Sequence, residues 1–174
     1  VAEMAVALRE RLVSGTGPFT SDQEFWQQGL FVISPHHVQI HSIYQELYQR
    51  RAWDYPPFVE TVNKMQGQES ECVIISYGVS DMDYALQEGE FIYSLNRLNV
   101  SLTRAQTKTI VCLPAPLLQP PLSAFGREEL IAGLDFMLQL KQMLETKGER
   151  ALFSLPGRRE GARLLALRMR QPIE

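Results

Sequence analysis

The 174-residue sequence is short of most features that would declare its chemistry. It has two cysteines, Cys72 and Cys112, too few for a disulfide scaffold. Both lie in apolar runs (Glu71 to Ile75 and Ile110 to Leu113), the usual setting of reduced, buried thiols and hence of a reducing compartment. No apolar stretch approaches the roughly eighteen residues that span a bilayer, and no charged-apolar-small leader opens the chain, so no membrane partner is expected. There is no Gly-x-x-x-x-Gly-Lys-Ser/Thr loop and no Gly-x-Gly-x-x-Gly after a strand, so the common grips on a nucleotide pyrophosphate are missing. Gly-x-Ser-x-Gly is missing too. Histidine is confined to His36, His37 and His41. His37 and His41 share a helix face as zinc pairs do, but no glutamate stands between them and no Cys/His cluster elsewhere offers a third ligand. A polar helix start is the better reading, and no metal site is expected.

Strong charge of one sign is also lacking: the net charge is −3, with 21% charged residues, which argues against a uniformly basic coat for nucleic acid. The mean conceals an asymmetry. Residues 141–174 carry eight Lys/Arg against four Asp/Glu, leaving −7 on residues 1–140. The length, at 45% hydrophobic, supports one domain with an appended element. The chain begins at Val1 rather than Met, which makes a fragment or processed chain an expectation.

What is present is an alternation of helical and strand patterns. Residues 2 to 13 suit an amphipathic helix, broken at Ser14 to Pro18. Leu30-Phe31-Val32-Ile33 reads as a buried strand ending in a turn at Ser34-Pro35, with a helix from His37 to about Arg51. Phe58 to Val62 reads as extended, and Asn63 to Glu71 as a polar loop around Gly67. Cys72 to Tyr77 is the clearest strand, and its lack of alternation predicts cover on both faces, as in a parallel sheet. Asn96 to Gln106 has helical spacing and leads to a second apolar strand, Thr109 to Leu113. Pro114 to Pro121 reads as a linker and Arg127 to Thr146 as an amphipathic helix. The arginine-flanked run Leu164 to Leu167 is either a helix or an alternating edge strand. Together these predict an α/β fold, a mostly parallel sheet sandwiched by helices.

Two segments carry more. Val59 to Glu69 taken alone is a strand and a glycine loop; Asn96 to Ala105 taken alone is an amphipathic helix with solvent-facing arginines. In this order, with a parallel strand between them, they resemble motifs V and VI of superfamily 1 helicases. Thr61-Val62 through Gln66-Gly67-Gln68-Glu69 is similar to motif V. Arg97-Leu98-Asn99-Val100-Ser101-Leu102-Thr103-Arg104-Ala105 is similar to motif VI. Val32-Ile33-Ser34-Pro35-His36, with Gln39 following, resembles motif IV. The resemblance spans about residues 28 to 114, and the Gln-Gly-x-Glu form of motif V points to the branch of the Upf and Dna-processing helicases.

Such helicases have two RecA-like domains with ATP and Mg2+ between them. The resemblance implies that this chain is the second, a RecA-like (P-loop NTPase-like) domain with no phosphate loop of its own, the cofactor being held mainly by the first. Arg104 is implied as the catalytic arginine, since a guanidinium delivered across the cleft stabilises charge on the transferring phosphoryl group. Gln66, Gly67, Glu69, Arg97 and Arg104 are the implied nucleotide-facing residues. Gly67 lets the backbone turn closely past the nucleotide, Glu69 accepts from the ribose or pairs with a cleft arginine, and Arg97 orients the helix or touches phosphate. Ser34, His36, Thr61 and Asn63 are the implied contacts to nucleic acid, Asn63 lying one strand alternation beyond Thr61. The implied partners are single-stranded DNA or RNA and the first RecA-like domain, with 5′-to-3′ movement inherited from the branch.

Two departures lower the positive charge of the cleft: Gln68 stands where many relatives carry Arg, and Gln106 where a basic residue follows Thr-Arg-Ala. A catalytically inactive helicase-like module used for nucleic-acid or protein binding is therefore the alternative to a motor. The expected division is 1–120 for the core with motifs IV to VI, 121–149 for a helix packed on it, and 150–174 for a basic tail. In that tail Arg158, Arg159, Arg163, Arg168 and Arg170 serve either a nucleic-acid or domain contact or no more than a solvated terminus. An intracellular location, cytoplasm or nucleus, is expected.

Overall fold

The structure, a computed structural model, describes residues 1–65, 67–79, 82–119, 127–154 and 163–168. Helix α1 (Ala2–Leu12) has Glu3 in its first turn and Arg9 and Arg11 in its last, both suited to the helix dipole. The single turn α2 (Asp22–Glu24) is capped by Ser21, whose hydroxyl accepts from the Glu24 amide, and runs through a wide turn at Phe25–Gly29 into strand β1 (Leu30–Ile33). Helix α3 (His37–Arg50) starts two residues after Pro35 and returns the chain to the short strand β2 (Val59–Glu60). A 3-10 turn, Val62–Met65, then precedes strand β3 (Ser70–Ser76). Three short helices follow, α4 (Met82–Gln87), α5 (Gly89–Ile92) and α6 (Leu95–Leu102), and lead to strand β4 (Ala105–Cys112). The long helix α7 (Glu128–Lys147) precedes an antiparallel pair, β5 (Glu149–Ser154) and β6 (Arg163–Arg168).

Strands β1 to β4 form one parallel sheet in the order β2-β1-β3-β4. Register is close at the centre: Leu30 to Ile33 align one-for-one with Cys72 to Ile75. Because alternate residues point to opposite faces, each strand feeds two cores. Phe31, Ile33, Val73 and Ile75 pack under Val62, Met65, Ile92, Tyr93, Leu98 and the α7 residues Leu130, Leu134 and Met137. Leu30, Val32, Cys72 and Ile74 pack under Ala5, Phe25, Trp26, Ile40, Ile43 and Leu47. This is the helix-sheet-helix sandwich of a RecA-like domain. Burying each of these large side chains stabilises by about 1.5–3 kcal/mol before entropy is charged against it.

The second layer is tied by one carboxylate. Asp22 is buried, and it accepts from Arg9 Nε at 2.7 Å, from Arg51 Nη2 at 3.2 Å and from the Asp54 amide at 3.1 Å. Three donors from α1 and the segment after α3 thus converge on a group that would be costly to bury unpaired.

Three expectations need correction. The helix of motif VI ends at Leu102, not near Gln106, and β4 starts at Ala105 rather than Thr109. Side-chain donors take the last helical carbonyls, Thr103 Oγ1 that of Asn99 at 2.8 Å and Arg104 Nε that of Val100 at 3.2 Å, while pairing with β3 pulls the following residues straight. β4, read as a second continuous apolar strand, is also half-exposed, being an edge. Finally, the start of the expected linker packs: Leu117, on the 3-10 turn Ala115–Leu118, is in the core, and its carbonyl accepts from the Tyr93 hydroxyl at 2.8 Å. The tail resolves to a strand, β6, with Arg168 opposite Glu149 and Arg163 opposite Ser154. Arg158, Arg159 and Arg170 lie outside the described residues.

Candidate functional site

In a parallel sheet all strands deliver their carboxyl ends to one edge, and the chemistry-bearing residues sort between that edge and its opposite. At the carboxyl edge Ser34 follows β1; its amide donates to the Glu60 carbonyl at 3.1 Å, and its hydroxyl is buried with no hydrogen-bond partner among the described residues. His36 is the residue before α3, where its carbonyl accepts from the Ile40 amide but its ring makes no cap. The ring Nε2 is likewise buried and has no hydrogen-bond partner among the described residues. Burial lowers the imidazole pKa below its ordinary value, against a smaller opposing pull from Glu88, so the neutral ring is favoured. Gln39, one turn on, donates to Ser76 Oγ at 3.2 Å and lies so close to Gly78 that a Cβ there would overlap its carboxamide. Thr61, half-buried, follows β2 at the same edge and its carbonyl accepts from Lys64 at 3.1 Å.

Asn63 belongs to this edge by another route. It sits in the 3-10 turn, not one strand alternation beyond Thr61, and its Oδ1 accepts from Arg97 Nη1 at 3.5 Å. The same guanidinium lies over the Phe91 ring, 3.7 Å from its centre. Phe91 is in turn 6.1 Å from the His36 ring, which is 5.5 Å from Tyr84. Motifs IV, V and VI therefore meet in one run of contacts, His36 to Phe91 to Arg97 to Asn63. Sequence reasoning missed Phe91 and Tyr84 because neither belongs to a recognisable motif and each, alone, is an unremarkable aromatic in a helix.

The opposite edge is built differently. Gly67 has φ +82°, the left-handed region that favours glycine, and a Cβ there would meet open space. Gln68 is turned back on its own loop, its amide donating to Met65 and its side chain to Lys64. Glu69 is exposed. The Ser70 amide donates to the Arg104 carbonyl at 3.0 Å, so the start of β3 fixes the backbone of Arg104. Arg104 stands on the two-residue turn between α6 and β4 rather than on the helix, half-buried, with Nη2 donating to Thr103 Oγ1 at 3.3 Å. Neither Arg97 nor Arg104 pairs with a carboxylate among the described residues.

Gly67, Glu69 and Arg104 thus share one edge, and Ser34, His36, Thr61, Asn63 and Arg97 group toward the other. Arg97 and Arg104 are seven residues apart with a helix between, roughly 10 Å along its axis; Arg97 contacts Asn63, whereas Arg104 is held by Ser70 at the start of β3. Gln66 lies outside the described residues. His37 and His41 are exposed on α3, His41 in contact with Gln45.

Residues 2–113 match the AAA domain family. The chain belongs to that family, and its motifs and fold make it a second RecA-like domain of superfamily 1 helicase type. A stretch of 66 residues, 37% of the chain, is 39% identical to the DNA replication ATP-dependent helicase/nuclease DNA2 of Homo sapiens and equally to that of Bos taurus. The match spans only 6% of the length of each of those proteins. No described helix is long and apolar enough to cross a membrane.

Proposed function

We propose that the chain is the second motor domain of an ATP-dependent superfamily 1 helicase acting on single-stranded DNA or RNA, and that Arg104 is its arginine finger. The observation that carries this reading is the state of Arg104: a half-buried guanidinium with no carboxylate partner among the described residues, its backbone clamped to β3, one loop from an open glycine and an exposed glutamate. An unpaired cation in such a place is suited to an anion arriving from outside the domain. The residues fit an ATP phosphate and ribose edge: Arg104 as donor, Glu69 as acceptor, and Gly67 as the position where backbone approaches without a side chain between. ATP with Mg2+, held mainly by the first RecA-like domain, would supply the phosphoryl group; Arg104, its backbone held by Ser70, would stabilise negative charge on the phosphoryl oxygens.

Arg97 takes a different part in this reading. Its contacts to Phe91 and Asn63 make it a positioning residue that ties motif VI to motif V at the carboxyl edge, where Ser34, His36, Thr61 and Asn63 face the strand. Grip there is mostly on phosphate and bases and is independent of sequence. The parent protein is expected in a reducing compartment, cytoplasm or nucleus.

The test is Arg104→Ala in the full-length protein. Hydrolysis stimulated by single strands is expected to fall on the order of a thousandfold, with ATP binding retained. Unchanged turnover would remove Arg104 from the site. Absence of stimulated hydrolysis in the wild-type protein would favour the inactive binding module, for which Gln68, folded onto Lys64 and offering the cleft no charge, is the supporting observation.

A further inference from the structure

Arg97 is held by a ring rather than by a carboxylate. Its guanidinium lies over Phe91, 3.7 Å from the ring centre, and one donor, Nη1, reaches the neutral acceptor Asn63 Oδ1 at 3.5 Å. Glu88 and Glu90 stand at the start of α5, the helix that carries Phe91, yet Arg97 forms no ion pair among the described residues. The distinction has chemical content. A carboxylate would fix the guanidinium by offsetting its charge and occupying two of its donors. A ring holds it by the face, so the charge is kept and the remaining in-plane N–H donors stay available. Phe91 is placed for this by the turn that carries it: its amide donates to the Glu88 carbonyl at 2.9 Å, and its neighbours Ile92 and Tyr93 are buried in the core. Phe91 itself is half-buried, and its ring contacts are with His36 and Arg97.

We propose that Phe91, a residue outside all three motifs, is a positioning residue that holds the Arg97 guanidinium, with its charge uncancelled, for a backbone phosphate of the bound strand. The inference rests on the reading of the carboxyl edge as the nucleic-acid-facing one, and adds to Arg97's tie between motifs a contact of its own. An arginine free to swing would lose side-chain entropy each time it met a phosphate. Stacked on Phe91 and steadied by Asn63, Arg97 has met that cost on folding. A phosphate contact reads no base, as a domain that moves along any sequence requires.

The experiment measures affinity of the full-length protein for a single-stranded oligonucleotide of mixed sequence, in DNA and RNA arms, across a salt series. Arg97→Gln is expected to weaken binding about tenfold and to flatten the logarithmic salt slope by about 0.7, the share of one phosphate on a single strand. Phe91→Leu keeps apolar bulk but no π-face, and should weaken binding about two- to fivefold with a flattening of the same sign. Phe91→Trp should keep both affinity and slope. In the Arg97→Gln background Phe91→Leu should cost nothing further, because the ring acts through the guanidinium. An equal cost in both backgrounds, or a salt slope unmoved by Phe91→Leu, would show that the ring serves the fold alone and would overturn the proposal while leaving the helicase reading intact. A loss of ATP affinity in Arg97→Gln measured without any strand, with the salt slope of strand binding unchanged, would give the phosphate to the nucleotide and equally overturn it. Failure of the wild type to bind either strand overturns both readings.

Discussion

The two edges of the parallel sheet hold their functional side chains in opposite ways. At the carboxyl edge the side chains hold one another: Asn63, Arg97, Phe91 and His36 touch in series across three motifs and two helices. At the amino edge the backbone does the holding. Arg104 is fixed through its own carbonyl by Ser70, and Gly67 by its left-handed torsion, while Glu69 is exposed. The difference suits what each edge would meet under the proposed function. A strand that slides past would need a surface fixed in advance, whereas a cleft completed by another domain would need a guanidinium whose base is rigid and whose tip pairs with no carboxylate among the described residues. Substitutions at the two edges should therefore separate stability from activity.

Arg104→Ala tests the separation at its widest. The expected thousandfold loss of stimulated hydrolysis corresponds to about 4 kcal/mol of transition-state stabilisation. The stability loss should stay below about 1 kcal/mol, since the side chain donates only to Val100 and Thr103 at a part-exposed helix end. Activity assays beside urea unfolding would show it. A stability loss as large as the activity loss would mean that Arg104 is part of the fold first.

Gly133→Ala is the converse. Gly133 lies on α7 where a Cβ would overlap the Tyr93 carbonyl oxygen, a backbone atom that cannot rotate aside. The expected cost is about 3 kcal/mol, at the upper end of overpacking effects. Displacing Tyr93 moves Ser94, which caps α6 at the Arg97 amide, so the carboxyl edge should suffer before the amino edge. Single-strand binding weakened more than nucleotide affinity would support that order; equal loss of both would show that the edges are not separable.

How much of this was legible in the sequence depended on whether a residue's role was local. β1 and β3 were readable because runs without alternation have few uses other than a strand covered on both sides; the four aligned pairs between them are seen only in the structure. The pattern misled where a tertiary bond competed with a helical one. Leu98, Val100, Leu102 and Ala105 keep helical spacing across a point where pairing of Ser70 with Arg104 ends the helix, and no local signal marks that bond. The motif resemblance likewise put Arg97 and Arg104 in one nucleotide-facing group. Spacing of seven suggests a shared helix face, but the turn at Thr103 takes Arg104 off that helix, and Phe91 and Asn63 occupy Arg97. Contacts such as Arg97 to Phe91 follow from how α5 and α6 pack, which no run of residues announces.

Gly67→Ala separates the edges again at a smaller scale. With open space at the Cβ position the cost is purely that of a side chain at φ +82°, about 1–2 kcal/mol. If the loop relaxes instead, stability is kept and the ATP affinity of the full-length protein falls. Either result is read from paired unfolding and nucleotide-titration curves, and a variant unchanged in both would show that the left-handed turn serves neither fold nor nucleotide.

The smallest effect expected is a pH dependence confined to the carboxyl edge. Folding lowers the His36 pKa from its ordinary 6.5 through burial, with Glu88 opposing. The unfolded chain therefore binds more protons than the folded one in the window between the lowered value and 6.5, and stability rises with pH across it. The contribution is fully present above about 6.5 and is lost as pH falls toward the folded value. Unfolding midpoints at pH 7.5 and 5.5 should converge in His36→Gln relative to wild type, because glutamine does not titrate. A Gly67→Ala background, a change at the amino edge, should leave the His36 slope unchanged. A slope that shifts with Gly67 would mean that the loop from Val62 to Glu69 transmits strain from one edge to the other, through Asn63 and Arg97, and that the two ways of holding a side chain are coupled in this domain.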